Sequence, residues 1–330
     1  MITGGAGFIG SHFIRLLLNS KKDIRVVNVD VLSYAGNLEN CADYKDDPRY
    51  VFYKADIGDH ATIVSIIEKE NIDTVVNFAA ESDNNKAIGS PLDFVKTNAL
   101  GVATLLEASR LMGIKRFHHI STCEVFGQLD LNSENIFTEE SAYNPRTPYN
   151  ASKAAGDHMV MSYYHTYNLP VTISYCANNY GTHQFPEKVI PVFIAKILEG
   201  QPIPIFASSG NKREWIHVTD HCRAVLAILE RGVVGEKYNI GTGVEKSIME
   251  IADTVIKVLG KGEELKQIVP DRKGHDARYL LDSSKIRSEL NWIPEISFEE
   301  GSKEVINWYV ENESWWKPLL TKSHSWEHNK

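Results

Sequence analysis

The stretch MITGGAGFIGSHFIRLLL, residues 1–18, decides the fold. A few β-type residues run into Gly4, Gly7 and Gly10, spaced G-x-x-G-x-x-G, and Phe8, Ile9, Phe13, Ile14 and Leu17 then recur at helical spacing. A strand that turns through glycines straight into a helix can cradle a diphosphate. The glycines permit a tight turn and close backbone approach, and the helix N-terminus faces the negative charge. A glycine triplet alone also occurs in turns that bind nothing, so its meaning depends on its surroundings. Only Met1 and Ile2 precede Thr3, so either this first strand is short or the numbered sequence starts inside a longer one.

Short β-branched or apolar runs follow at 24–30 (IRVVNVD), 51–57 (VFYKADI), 74–80 (TVVNFAA), 116–122 (RFHHIST) and 170–176 (PVTISYC). Stretches of helical period lie between most of them, among them ATIVSIIEKENI and NALGVATLLEASRLMGI. Strands that are apolar throughout and alternate with helices predict an α/β fold, a Rossmann-type doubly wound parallel sheet. Asp30 ends the second strand about 20 residues past Gly10, where a carboxylate takes a ribose 2′-hydroxyl. Such a group repels a 2′-phosphate, which favours NAD over NADP; a mere turn cap is the plainer alternative. Asp56 and Ile57, at the end of the third strand, are candidates to hold adenine.

After residue 176 the texture changes to turn formers, aromatics and charges, with helical segments at 189–199, 219–231, 247–259 and 297–311. The reading is a nucleotide-binding domain over 1–176, to which later segments return, and a smaller C-terminal α/β substrate domain over mainly 177–330. The composition, 43% hydrophobic and 24% charged, is that of an ordinary folded protein. A net charge of -8 offers no broad field for nucleic acid or anionic membrane, so neither is expected as a partner. Cys41, Cys123, Cys176 and Cys222 are scattered without a CxxC pair, so neither a disulfide framework nor a metal site is expected. No apolar run approaches a membrane span, and cytoplasm is the expected location.

Tyr149 and Lys153 lie four apart on one helical face in PYNASKAAGDHM. A tyrosine serves as a base at neutral pH only if its phenolate is stabilised, and a lysine one turn away supplies that charge. A surface pair on a helix is the bland alternative. In HHISTCEVFGQ, Cys123 can be read as packing, as a nucleophile with His118 or His119, as a metal ligand, or as a substituted acid.

These segments together resemble the extended short-chain dehydrogenase/reductases, and among them the dTDP-glucose 4,6-dehydratases. The matching stretches run nearly end to end: TGGAGFIGSH, DVLSYAGN, NFAAES, STCEVFG, TPYNASKAAGDH, NNYG, QFPEKVIP, REWIHVTDH, YNIGTG and GHDARY. The resemblance implies that NAD is held by Gly4, Gly7, Phe8, Ile9, Gly10, Asp30, Ser33, Gly36, Asp56, Ile57, Ala79, Ala80, Thr97, Tyr149 and Lys153. It implies that Tyr149, helped by Lys153 and Thr122, takes the C4 hydroxyl proton while the C4 hydride passes to NAD. Glu124 then removes the C5 proton, water leaves from C6, and hydride return to C6 yields a 4-keto-6-deoxy sugar. Ser82, Asn178, Glu187, Lys188, Phe206, Arg213, Arg272 and His275 would touch the UDP- or dTDP-hexose. Family members commonly dimerise through the segments corresponding to 95–112 and 148–167, which implies a homodimer.

Two departures stand out. The dehydratases have Thr-Asp-Glu where this chain has Thr122-Cys123-Glu124, and a thiol with a pKa near 8.5 is a far weaker acid than a carboxyl near 3.9. Asp83 and Lys86 replace a usual histidine and an arginine or polar residue, which bears on substrate identity. The triplet also resembles a tunicamycin-pathway UDP-N-acetylglucosamine dehydratase that leaves a 5,6-ene product, its hydride returning to C4. A C4 epimerase would not need Glu124, and a non-catalytic NAD-binding relative would not need Tyr149, Lys153 and Glu124 together.

Overall fold

The computed structural model describes residues 1–271 and 274–322. Its main sheet takes strands β1 (Ile2–Thr3), β2 (Val26–Asp30), β3 (Tyr50–Lys54), β4 (Thr74–Asn77), β5 (Arg116–Thr122) and β6 (Val171–Cys176). The seventh strand comes from far downstream. Across the sheet the order is 237–240, β6, β5, β4, β1, β2, β3, and every pairing is parallel. The strand order therefore reverses between β1 and β4, which opens a crevice at the carboxyl ends of the strands. β1 has only two residues, yet Ile2 and Thr3 pair on both sides, with Asn28 and Val29 and with Val76 and Asn77.

The apolar spacing read from the first turn produces helix α1 (Phe8–Ser20), which buries Phe13, Ile14, Leu17 and Leu18. The crossovers of the first half form α2 (His60–Lys69), α3 (Asn84–Gly89), α4 (Pro91–Val95), α5 (Val102–Leu111) and α6 (Pro148–Tyr167). Between α4 and α5 the chain makes a π-helical turn, Lys96–Gly101, so the single helix expected there is interrupted. Such turns widen the helix by one residue and often serve a site. α6 starts with Pro148 under a Thr147 cap, whose Oγ1 accepts from Asn150 N at 3.2 Å.

Beyond β6 the chain forms β7 (Asn178–Tyr180), α7 (Val189–Leu198), β8 (Ile203–Phe206), β9 (Lys212–His217) and α8 (Val218–Arg231). It continues through β10 (Lys237–Ile240), β11 (Glu245–Ser247), α9 (Ile248–Val258), β12 (Lys266–Val269), α10 (Ser284–Leu290) and α11 (Phe298–Glu311). β11, β9 and β7 make a small sheet, and β12 pairs with β8 in parallel. Ile194, Trp215, Ile251, Val305, Tyr309 and Trp316 fill a core of their own beneath these strands. β10 pairs with β6 and α8 packs on α1, so this portion of the second half is built into the main sheet. The sequence reading missed β10 because four residues, KYNI, two of them polar, carry too little pattern.

All four cysteines are free and buried. Among the described residues no helix is long and apolar enough to cross a membrane, and no cluster of three or more His, Cys, Asp or Glu could hold a metal ion.

Asp220 pins α8 to the segment before α11. It is fully buried, its Oδ2 accepts from Glu295 N at 3.0 Å and Ile296 N at 2.9 Å, and its Oδ1 takes Arg223 Nη1 at 2.9 Å. Asp220→Ala strands two backbone N–H groups and leaves Arg223 with Glu295 as its remaining carboxylate partner, and is expected to cost about 3 kcal/mol in urea unfolding. A loss under about 1 kcal/mol would show that water replaces the carboxylate freely.

Candidate active site

A cavity of about 470 Å³ runs along the carboxyl ends of the main strands and under the second core. Its wall includes Gly4, Gly7, Phe8, Ile9, Gly10, Asp30, Ser33, Gly36, Asp56, Ile57, Ala79, Ala80 and Thr97, the whole expected cofactor set together with Tyr149 and Lys153. At Gly4 and Gly10 the turn has no room for a side chain. Gly4 has φ +68°, and a Cβ there would sit 2.7 Å from Ala79 N; one on Gly10 would sit 2.4 Å from Gly4 O. Asp30 is anchored at the end of β2, Oδ2 accepting from Ala6 N at 3.0 Å and Oδ1 from Leu32 N at 2.8 Å. Burial pushes its pKa up and those two bonds push it back. A Cβ on Gly36 would come within 2.9 Å of Asp30 Oδ1, so the approach to this carboxylate stays open. The fit to a dinucleotide ribose and diphosphate is good.

The chemical end of the cavity gathers Thr122, Glu124, Tyr149 and Lys153. Burial pushes the Tyr149 phenol well above its ordinary pKa, with Glu124 adding to the rise and a hydrogen bond with Thr122 easing it. It therefore needs a nearby positive charge to act as a base. Lys153, also buried, donates from Nζ to Ile120 O at 2.7 Å and lies 3.5 Å from His119 Nε2. Burial lowers its pKa and Asp157 raises it.

Beneath Lys153 runs a buried chain of polar groups. Thr3 Oγ1 donates to Asn77 Oδ1 at 2.6 Å, which leaves Asn77 Nδ2 to donate to His119 Nδ1 at 3.1 Å. His119 Nε2 lies 3.4 Å from Asp157 Oδ1, and Asp157 Oδ2 accepts from Ser121 Oγ at 2.7 Å. His118 also packs, its nitrogens on Thr172 and Ser174, so neither histidine can activate a thiol in the cavity.

Ser82, Asn178, Glu187, Lys188, Phe206, Arg213 and His275 all line the same cavity; Arg272 lies outside the described residues. Lys188 Nζ reaches Ser82 O at 2.6 Å and Glu187 Oε1 at 3.2 Å, and Tyr34 donates to that same Oε1 at 3.2 Å. Arg213 donates to the carbonyl oxygens of Lys212, Asp276 and Ala277 and sits over the Tyr279 ring at 4.7 Å. A guanidinium held by neutral carbonyls keeps its charge for an anion. At the substituted Asp83, Oδ1 accepts from Asn85 N at 2.8 Å, while Lys86 pairs with Glu81 at 2.9 Å.

Among the described candidates Cys123 alone stays out of the cavity wall. It opens a short 3-10 turn, Cys123–Phe126, is 1% exposed, and packs into the main core with Val125 and Phe126. Burial, with Glu124 next, pushes its thiol well above the ordinary value. The geometry matches the packing alternative rather than the acid slot. Two further residues escaped the sequence reading altogether. Asn98, in the π turn, accepts from Glu81 N and donates to Glu81 O and Ser152 Oγ, each at 2.9 Å; Asn84 donates to Glu124 Oε2 at 3.2 Å. Neither carries a local sequence signal, because all these partners except Glu81 lie 40 or more positions away.

A parallel Rossmann-type sheet with a glycine turn, an acidic second strand and a buried Tyr-x-x-x-Lys defines an extended short-chain dehydrogenase/reductase. Within that class the chain belongs to the GDP-mannose 4,6 dehydratase family, whose model matches residues 1–305. It is 42% identical to the dTDP-glucose 4,6-dehydratase of Neisseria meningitidis serogroup B over 99% of this chain and 97% of that one. It is 40% identical to the Escherichia coli dTDP-glucose 4,6-dehydratase, over 99% and 98%. The solved dTDP-glucose 4,6-dehydratase of Streptomyces venezuelae with NAD bound superposes with TM-score 0.93 at 42% identity, covering 96% of this chain and 98% of that one. A UDP-glucose 4-epimerase from Thermotoga maritima superposes at 0.87 with 30% identity, over 94% and 98%.

His119 folds neutral, with its pKa lowered to about 4 by burial and the neighbouring Lys153 charge, whereas the unfolded ring takes a proton near 6.5. Its contribution is present above pH 6.5 and is lost as pH falls through about 4, a change on the order of 3 kcal/mol. Urea unfolding should weaken over that window in the native chain and more shallowly in His119→Gln. Equal slopes in the two proteins would exclude His119 as the cause.

Proposed function

We propose that this chain is an NAD-dependent nucleotide-diphospho-hexose dehydratase acting on dTDP-glucose and forming the 4-keto-6-deoxy sugar. One observation carries the reading: Glu124, a second base, stands in the same cavity wall as Tyr149, Lys153 and Thr122. Exchange of a C4 hydroxyl configuration needs only one such base; removal of a C5 proton needs the second. The relatives that are 40–44% identical over nearly the whole chain, all named dTDP-glucose 4,6-dehydratase, support the choice of reaction and of nucleotide.

In this reading Arg213 and the nearby cations hold the diphosphate, and Glu187 and Lys188 meet the sugar. Tyr149 takes the C4 hydroxyl proton, with Thr122 and the Lys153 ammonium stabilising the phenolate. NAD, when bound, would supply the acceptor for the C4 hydride and the donor that reduces C6. The 4-ketone acidifies the C5 proton, Glu124 removes it, and the C6 hydroxyl departs as water. Because the Cys123 thiol is buried away from the cavity, protonated Glu124 is the group at hand to give the leaving hydroxyl its proton; as C6 is reduced, a solvent proton enters at C5, and Tyr149 releases to solvent the proton it took from the C4 hydroxyl. We place a homodimer contact on α4, the π turn, α5 and α6, where Leu92, Val95, Leu100, Leu111 and Tyr167 are exposed.

Incubation with dTDP-glucose, UDP-glucose and UDP-N-acetylglucosamine, read by mass spectrometry and product NMR, tests the reaction. Loss of one water with an H-C5-CH3 unit beside a ketone is expected, fastest with dTDP-glucose; an exocyclic alkene with a C4 proton would overturn it. Glu124→Gln is expected to lower kcat by about 10²–10⁴ while C4 oxidation, followed by absorbance of the reduced cofactor, survives. Cys123→Ala should keep kcat within about threefold, since deleting a buried thiol removes packing and no cavity group. A loss approaching that of Glu124→Gln would restore the thiol as the proton donor.

A further inference from the structure

Glu124 is not presented to the cavity by its own turn alone. Asn84 Nδ2 donates to Glu124 Oε2 at 3.2 Å, while Asn84 Oδ1 accepts from Thr147 Oγ1 at 3.1 Å. Thr147 is the residue that caps α6, accepting from Asn150 N at 3.2 Å. The amide of Asn84 thus joins the carboxylate that works at C5 to the start of the helix that carries Tyr149, which works at C4. Its two ends cannot be swapped. An ionised Glu124 carboxylate can only accept, so the Asn84 N–H₂ must face it, and the Asn84 oxygen is left to take the Thr147 hydroxyl hydrogen. A donor fixed in this way favours the ionised carboxylate and holds one of its oxygens in place. α3 begins at this residue under the Asp83 cap, which fixes the backbone from which the amide projects.

We propose that Asn84 is a positioning residue for the elimination step, holding Glu124 ionised and in register with Tyr149 so that the two bases address adjacent carbons of one sugar ring. The proposal rests on the dehydratase reading above. Asn84 touches neither reacting carbon in this account and acts through Glu124.

The consequence separates the two halves of the reaction. With dTDP-glucose as substrate, Asn84→Ala should lower kcat about tenfold, with KM within about twofold. It should slow solvent-deuterium entry at C5 by the same factor while leaving the single-turnover rate of C4 oxidation unchanged. The acid limb of the kcat profile should move to higher pH, because a carboxylate that loses a donor is harder to ionise. Asn84→Asp, equal in size but repelling Glu124, should move that limb further. Asn84→Ser, which keeps a shorter donor, should fall between native and Asn84→Ala. Melting temperatures identify any variant that is merely unfolded, and the Asp and Ser pair carries the comparison if Asn84→Ala is too unstable to assay. If the native enzyme is active and the acid limb and C5 exchange stay put in the folded variants, the inference is overturned. If the native enzyme dehydrates none of the hexoses, the functional reading falls instead.

Discussion

A single buried ammonium organises the centre of this molecule. Lys153, on α6, is 4% exposed with its ammonium against β5, and an isolated charge in such a place is costly unless its surroundings answer it. The answer has three parts: the Ile120 carbonyl at 2.7 Å, the buried Asp157 carboxylate, and a His119 that stays neutral. Protonating His119 would put a second cation 3.5 Å from the first. A neutral His119 leaves the Lys153 ammonium to stabilise a phenolate at Tyr149.

From this point two polar chains reach outward and tie together parts of the chain that are far apart in sequence. One runs from Thr3, beside the glycine turn, through Asn77 and His119 to Asp157 on α6. The other runs from the α6 cap through Asn84 to Glu124. The first links where a diphosphate would lie to where the nicotinamide end would act; the second links one base to the other. β1 delivers Thr3 and the first glycine to fixed places between β2 and β4.

Much of this was legible from the residues alone, for reasons that are local. The glycine turn, the apolar strands and the i, i+4 pair of Tyr149 and Lys153 each occupy one short window, and the structure places all of them together. The candidate sugar contacts came from resemblance, and those that the structure describes line one cavity. What could not be read is long-range or directional. β10 has too few apolar residues to declare itself, and the π turn, Lys96–Gly101, lies in a run whose spacing suits an ordinary helix. Asn84, Asn98 and Asp157 are ordinary polar residues until their distant partners are known. The alternatives open for Cys123 could not be ranked from its neighbours Thr122 and Glu124, which line the cavity; the 3-10 turn that starts at Cys123 places its side chain in the core.

The distribution of sulfur has a use of its own. Cys41, Cys123 and Cys222 are sealed in the interior at 2%, 1% and 1% exposure, whereas Cys176 forms part of the cavity wall beside Asn178. Its thiol is pushed up to about 12 by burial, so alkylation there is expected to be slow. A small thiol reagent therefore reports two events on one chain. Labelling at Cys176 measures whether the cavity is filled, and labelling at the other three counts excursions in which the fold itself comes open.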